Sequence, residues 1–150
     1  MSTPITLITG SSLGNAEYVA ESLEPFLANS GFNPEIKHGP ELAEVPKVGF
    51  WLIICSTHGA GDVPDNLLPW INDIIDSSPE LSQVKFGVIG LGSSDYDLFC
   101  GAIDTIIQEL LRCGATKIGE TLKIDALDDR LPEEIAQAWI EEWIDIAQSN

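Results

Sequence analysis

The chain has 150 residues, of which 44% are hydrophobic and 21% charged, enough apolar side chain for one buried core and too much for a disordered tail. Seven Lys and Arg against 24 Asp and Glu leave a net charge of −17, a field that repels nucleic-acid backbones and anionic membrane surfaces and attracts basic partners. No apolar run approaches the roughly 20 residues of a membrane span, and Met1 to Gly10 has neither the basic start nor the long apolar stretch of a signal peptide, so a single domain in the cytoplasm is expected.

A short apolar run, Ile5 to Thr9, reads as the first strand. It gives way at Gly10-Ser11-Ser12 to apolar positions Ala16, Val19, Ala20, Leu23 and Leu27, where the period changes to about 3.6 and predicts a helix. Pro25 falls inside that stripe and removes the amide bond back to Glu21, so a kink or an early end is expected there. Asn33 to His38 is a weak second strand. Val48 to Cys55 is a near-continuous apolar run of the kind buried on both faces of a parallel sheet, and predicts the sheet centre. A loop, Ser56 to Asn66, leads to a helix around Leu67 to Ile75 and a strand, Lys85 to Leu91. After the loop Gly92 to Gly101, Ile103, Ile106, Ile107, Leu110 and Leu111 form a second helical stripe closed by Gly114 as C-cap. Thr116 to Ile124 is the fifth strand, and Pro132 opens a last helix with Glu133 and Glu134 in its first turn.

Strands alternating with helices predict a doubly wound α/β sheet, five-stranded and parallel, with helices on both faces. The commonest order is 2-1-3-4-5, with ligands beyond the carboxyl ends of strands 1 and 3. The loops Gly10 to Asn15, Ser56 to Asn66 and Gly92 to Gly101 should therefore converge.

In Gly10-Ser11-Ser12-Leu13-Gly14-Asn15-Ala16-Glu17 a strand end runs into a helix start, where free amides and the helix dipole can hold an anion such as phosphate. No Lys or Arg falls in this loop, and the spacing is not that of a nucleoside-triphosphate loop. A hydroxyl-capped turn without ligand is the alternative on this segment alone. The same residues match the nucleophile elbow G-x-S-x-G with Ser12 as nucleophile, but that triad needs a late histidine and none follows His58. The second loop sets His58, a flat ring, among Gly59, Ala60 and Gly61 and could line a planar ligand; a plain surface turn is the alternative. The third places Tyr96 among Ser93, Asp95 and other small or acidic residues, where a ring face could stack on a ligand. Phe99 reads better as core, and Cys100 has no nearby base or cation to make it a catalytic thiolate. The three cysteines lack CxxC spacing and read as reduced thiols, and with two histidines no cluster has metal-ligand spacing.

Together the three loops resemble those of the flavodoxin family and the related FMN domains of diflavin reductases. Ser11-Ser12-Leu13-Gly14-Asn15-Ala16 is similar to the phosphate loop, Ser56-Thr57-His58-Gly59-Ala60-Gly61-Asp62 to the first flavin loop, and Leu91-Gly92-Ser93-Ser94-Asp95-Tyr96-Asp97-Leu98-Phe99-Cys100 to the second. The wording of the second and third loops and of Gly119-Glu120-Thr121-Leu122-Lys123-Ile124 most resembles the MioC-type branch of small flavodoxin-like proteins. The resemblance implies an FMN cofactor, with its phosphate on Ser11 to Ala16 and its ring between His58 and Tyr96, and Asp125 near it. Two departures stand out: Leu13 replaces a hydroxyl-bearing threonine, and His58 replaces a common aromatic. His58 is thus a smaller stacking partner, with an imidazole that can titrate near neutral pH.

The expected function is electron carriage by bound FMN, from a separate flavodoxin/ferredoxin-type reductase with a basic face to an acceptor enzyme, by a monomer that binds neither nucleic acid nor membrane. A 150-residue chain filled by one such sheet leaves no room for a nicotinamide domain. An FMN-dependent NAD(P)H:quinone-type reductase is the competing reading.

Overall fold

The computed structural model describes residues 3–11, 14–56, 63–92, 101–125 and 127–149. The apolar runs form strands β1 (Thr3–Gly10), β2 (Phe32–His38), β3 (Gly49–Ser56), β4 (Val84–Gly92), β5 (Thr116–Lys117) and β6 (Leu122–Asp125). Between them lie helices α1 (Asn15–Asn29), α2 (Leu68–Ser77), α3 (Gly101–Arg112) and α4 (Pro132–Gln148). All strand pairs are parallel and the order is β2-β1-β3-β4-β5, with β6 also on β4. This is the predicted doubly wound α/β sheet.

Because side chains alternate along a strand, the central strands feed two cores. Trp51, Ile53, Phe86 and Val88 point to one face, where they meet Trp70, Ile74, Ile103, Ile106 and Leu110 of α2 and α3. Leu52, Ile54 and Ile89 point to the other, against Val19, Leu23, Leu27, Ile140 and Trp143 of α1 and α4. Full burial of each such side chain stabilises the fold by roughly 1.5–3 kcal/mol. Central strands buried on both faces explain why β3 reads as a continuous apolar run.

One expectation is narrowed and one needs correction. Helix α1 does not end early at Pro25 but continues through it to Asn29. Pro25 and Glu21 are both exposed, so water can take up the carbonyl that the missing amide frees, and the buried stripe from Ala16 to Leu27 holds the helix together on its other side. The fifth strand is not one run over Thr116 to Ile124. It breaks into β5 and β6 around Gly119, with Ile118 N–H donating to Phe86 O at 2.8 Å and the buried Trp143 indole N–H donating to Ile118 O at 3.0 Å. That tryptophan, carried by α4, takes the carbonyl at the break. The predicted closure of α3 holds: Gly114 N–H donates to Leu111 O and Ala115 N–H to Leu110 O, both at 3.0 Å, the Schellman pattern.

Candidate functional site

Parallel pairing brings the carboxyl ends of the strands to one edge of the sheet. Gly10 is level with Cys55, Ser56 with Leu91, and Gly92 with Asp125. Ser56 Oγ donates to Gly10 O at 3.5 Å and ties the ends of β3 and β1 together. The three loops singled out in the sequence leave from this edge, so Ser11, Gly14, Asn15, Ala16, Leu91, Gly92 and Asp125 share one end of the molecule. Ser12, Leu13, Thr57, His58, Gly59, Ala60, Gly61, Ser93, Asp95, Tyr96, Phe99 and Cys100 lie outside the described residues.

The turn from β1 into α1 has the features an anion needs. Gly14 is the N-cap with φ 83°, a left-handed conformation natural to glycine, and it brings no side chain to cap the helix. The first amides of α1 therefore keep no intrahelical acceptor and point, with the positive end of the helix dipole, out of the turn. Ser11 is buried, 7% exposed, and its Oγ accepts the Gly14 N–H at 3.1 Å. Ala16 is fully buried and offers no hydroxyl, and no Lys or Arg lies between Gly10 and Glu17. A phosphate group fits this turn on neutral donors, the backbone amides that open α1.

Close packing under the turn demands a glycine at position 10. A Cβ there would stand 2.7 Å from Leu67 Cβ and 2.8 Å from Leu67 Cδ2, and Leu67 is fully buried just before α2. The end of β1 is therefore seated against the residue that opens α2, through Gly10 and Leu67.

At the far side of the site Asp125 ends β6, half-buried beside Gly92, and its Oδ1 accepts the Leu127 N–H at 3.0 Å. Its carboxylate shapes the start of the next loop. Asp128, in that loop, is held below the usual carboxylate range by hydrogen bonds from Arg130.

Three residues at this edge lie outside the set expected from the sequence. Glu17, in the first turn of α1, folds back so that Oε2 accepts from Ser11 Oγ at 2.5 Å, while Oε1 lies 3.5 Å from Thr9 Oγ1. Thr9 is fully buried and shares a hydrogen bond of 2.7 Å with Nδ1 of His38 on β2. A glutamate three residues after an N-cap is a legible sign of a side chain folding back on a helix start. The Thr9–His38 contact comes from the β1–β2 register, which pairs the two residues and which sequence pattern does not supply.

Comparison with known proteins bears on the same stretch. The sequence model of the family described as flavodoxin matches residues 7–139. Protein MioC of Escherichia coli K12 is 53% identical over 142 residues, covering 95% of this chain and 97% of that one. Flavodoxin YqcA of the same strain is 35% identical over 144 residues, covering 93% and 95%. Among solved structures, a cysteine-to-serine mutant of flavodoxin from Pseudomonas aeruginosa superposes with a TM-score of 0.89 at 29% identity, covering 97% of this chain and 99% of that one.

Proposed function

The chain belongs to the flavodoxin family, whose members carry electrons on FMN, and we propose that it passes them from a separate, basic-faced reductase of the flavodoxin/ferredoxin type to an acceptor enzyme. FMN supplies the redox chemistry, and the protein sets its potential and its access. The observation that carries the reading is the glycine-started N-terminus of α1 at the end of β1, level with the ends of β3, β4 and β6.

Each part of the chain has a task in this scheme. Ser11, Gly14, Asn15 and Ala16 hold the phosphate through the Ser11 hydroxyl and the first amides of α1, with Ser12 and Leu13 completing the loop. Thr57 to Gly61 and Ser93 to Cys100 flank the ring, with His58 and Tyr96 as its neighbours. The carboxylates around this edge, Asp65 and Asp125 among them, oppose extra negative charge on the cofactor and so favour its oxidised form. The net charge of −17 steers a basic partner toward the protein, an effect that ionic strength screens. Among the described residues no helix is long and apolar enough to cross a membrane.

The test is the visible spectrum of the purified chain with and without added FMN, followed by reduction with NADPH in the presence and absence of a flavodoxin-type reductase. Reduction that needs the reductase, at a rate that falls as salt rises, supports the proposal. Oxidation of NAD(P)H by the chain alone would replace it with an FMN-dependent quinone-type reductase. A rate indifferent to salt would remove the basic-faced partner.

A further inference from the structure

Ser11 carries the described hydroxyl of the phosphate loop, and a hydroxyl has one proton to give. In the structure that proton goes to Glu17 Oε2 at 2.5 Å, while the oxygen accepts the Gly14 N–H at 3.1 Å. Ser11 is 7% exposed, so little water reaches it to stand in for either partner. The other carboxylate oxygen faces the buried Thr9 hydroxyl at 3.5 Å, so both oxygens of Glu17 are turned inward toward the β1–α1 corner. A negative charge at N3 of α1 sits in the same helix-end field that a phosphate dianion uses. No Lys or Arg between Gly10 and Glu17 offsets the repulsion between the two anions.

We propose that Glu17 is an internal competitor of the cofactor phosphate: it holds the Ser11 hydroxyl in the flavin-free chain, and FMN gains that donor only by displacing it. This rests on the reading of the chain as an FMN protein and adds to it a residue that sets affinity for the phosphate half of the cofactor. Glu17 is a positioning residue here, acting through Ser11. The opposite arrangement, in which Glu17 prepares Ser11 for phosphate, predicts the opposite sign for its removal.

The experiment titrates the flavin-free full-length chain with FMN and with riboflavin, which lacks the phosphate, for wild type, Glu17→Gln, Ser11→Ala and the double variant. Glu17→Gln keeps the side-chain shape and replaces a charge-assisted hydrogen bond by a weaker neutral one. It should tighten FMN binding about tenfold, the worth of one such bond, and leave riboflavin within about twofold. Ser11→Ala should cost FMN less than about threefold relative to riboflavin in the wild type, where the hydroxyl only exchanges one anion for another, and about tenfold in the Glu17→Gln background. Unchanged or weaker FMN binding by Glu17→Gln, relative to riboflavin, overturns the proposal. So does a loss of about tenfold from Ser11→Ala in the wild type, an arm that decides alone if Glu17→Gln does not fold by circular dichroism. A wild-type chain that binds riboflavin and FMN alike sinks the phosphate contact while leaving flavin binding in place; one that binds neither sinks the cofactor reading and this proposal with it.

Discussion

Gly10→Ala adds one methyl group where the end of β1 packs against the start of α2. The new Cβ would lie 2.7 Å from Leu67 Cβ and 2.8 Å from Leu67 Cδ2, where carbon atoms rest about 3.5–4.0 Å apart, so the gap must open by about 0.7 Å or more. Rotating Leu67 moves Cδ2 but not Cβ, which is fixed to a backbone whose N–H donates to Pro64 O at 2.9 Å. The strand end must therefore give, and it carries Ser11 with it. Overpacking of this kind costs about 1–3 kcal/mol. For a chain of this size each kcal/mol is worth about 2–4 °C in Tm. FMN affinity should fall in parallel, because the Ser11 hydroxyl and the first amides of α1 are displaced together. Urea unfolding of the flavin-free protein gives the stability, and fluorescence titration gives the affinity. Leu67→Ala alone should cost about 2–5 kcal/mol through its cavity. Combined with Gly10→Ala it should cost less than the sum by about 1 kcal/mol or more, since the methyl group enters the space Leu67 vacates. Gly10→Ala within about 0.5 kcal/mol of wild type, or a strictly additive pair, would refute the steric argument.

A second close approach lies at the back of the sheet, where a Cβ on Gly87 would meet Trp143 Nε1 at 2.3 Å and Cε2 at 2.7 Å. Gly87→Ala should destabilise by about 2–4 kcal/mol, from overpacking and the strained Trp143–Ile118 hydrogen bond together, read from the urea midpoint and the shift in tryptophan emission. Arg112, at the end of α3, donates to Glu109 and Ser78 and reaches the Ile74 and Ile75 carbonyls at the end of α2. Arg112→Ala should lower the unfolding midpoint and Arg112→Lys should restore only part of it, because a single ammonium cannot span the fork. Burial raises the Cys113 thiol above its ordinary value, so alkylation mapped by mass spectrometry near pH 8 should proceed more slowly there than at a free cysteine. The stability owed to that neutral thiol is full below the ordinary thiol value and is lost as pH rises through the raised one. Cys113→Ser should flatten the alkaline limb of the stability profile.

Much of this protein is written in local pattern. The change from a continuous apolar run to a 3.6-residue stripe marks β1 and α1, the doubly buried run marks β3 as central, and glycine and serine at strand ends mark where the strands give way to loops, because backbone geometry and burial act on neighbours in the chain. Pro25 shows the limit of such reasoning: the local cost of a proline is real, yet the buried face of α1 outweighs it. The break between β5 and β6 has the same origin, since it turns on Trp143, which is 25 residues away from Ile118 in the chain. Glu17 is within reach of the sequence as a first-turn acid, but its hold on Ser11 depends on how far β1 carries that serine past the sheet edge. His38 lies beyond sequence reasoning altogether, because its partner Thr9 is set by strand register. Sequence by itself determined the alternation of elements, the family and the edge of the sheet from which the three candidate loops leave, since these follow from periodicity and short-range chemistry. Only the tertiary structure decided which hydroxyl, carboxylate and imidazole meet there, since hydrogen bonds between distant residues exist only once the strands are in register and the helices are packed against them.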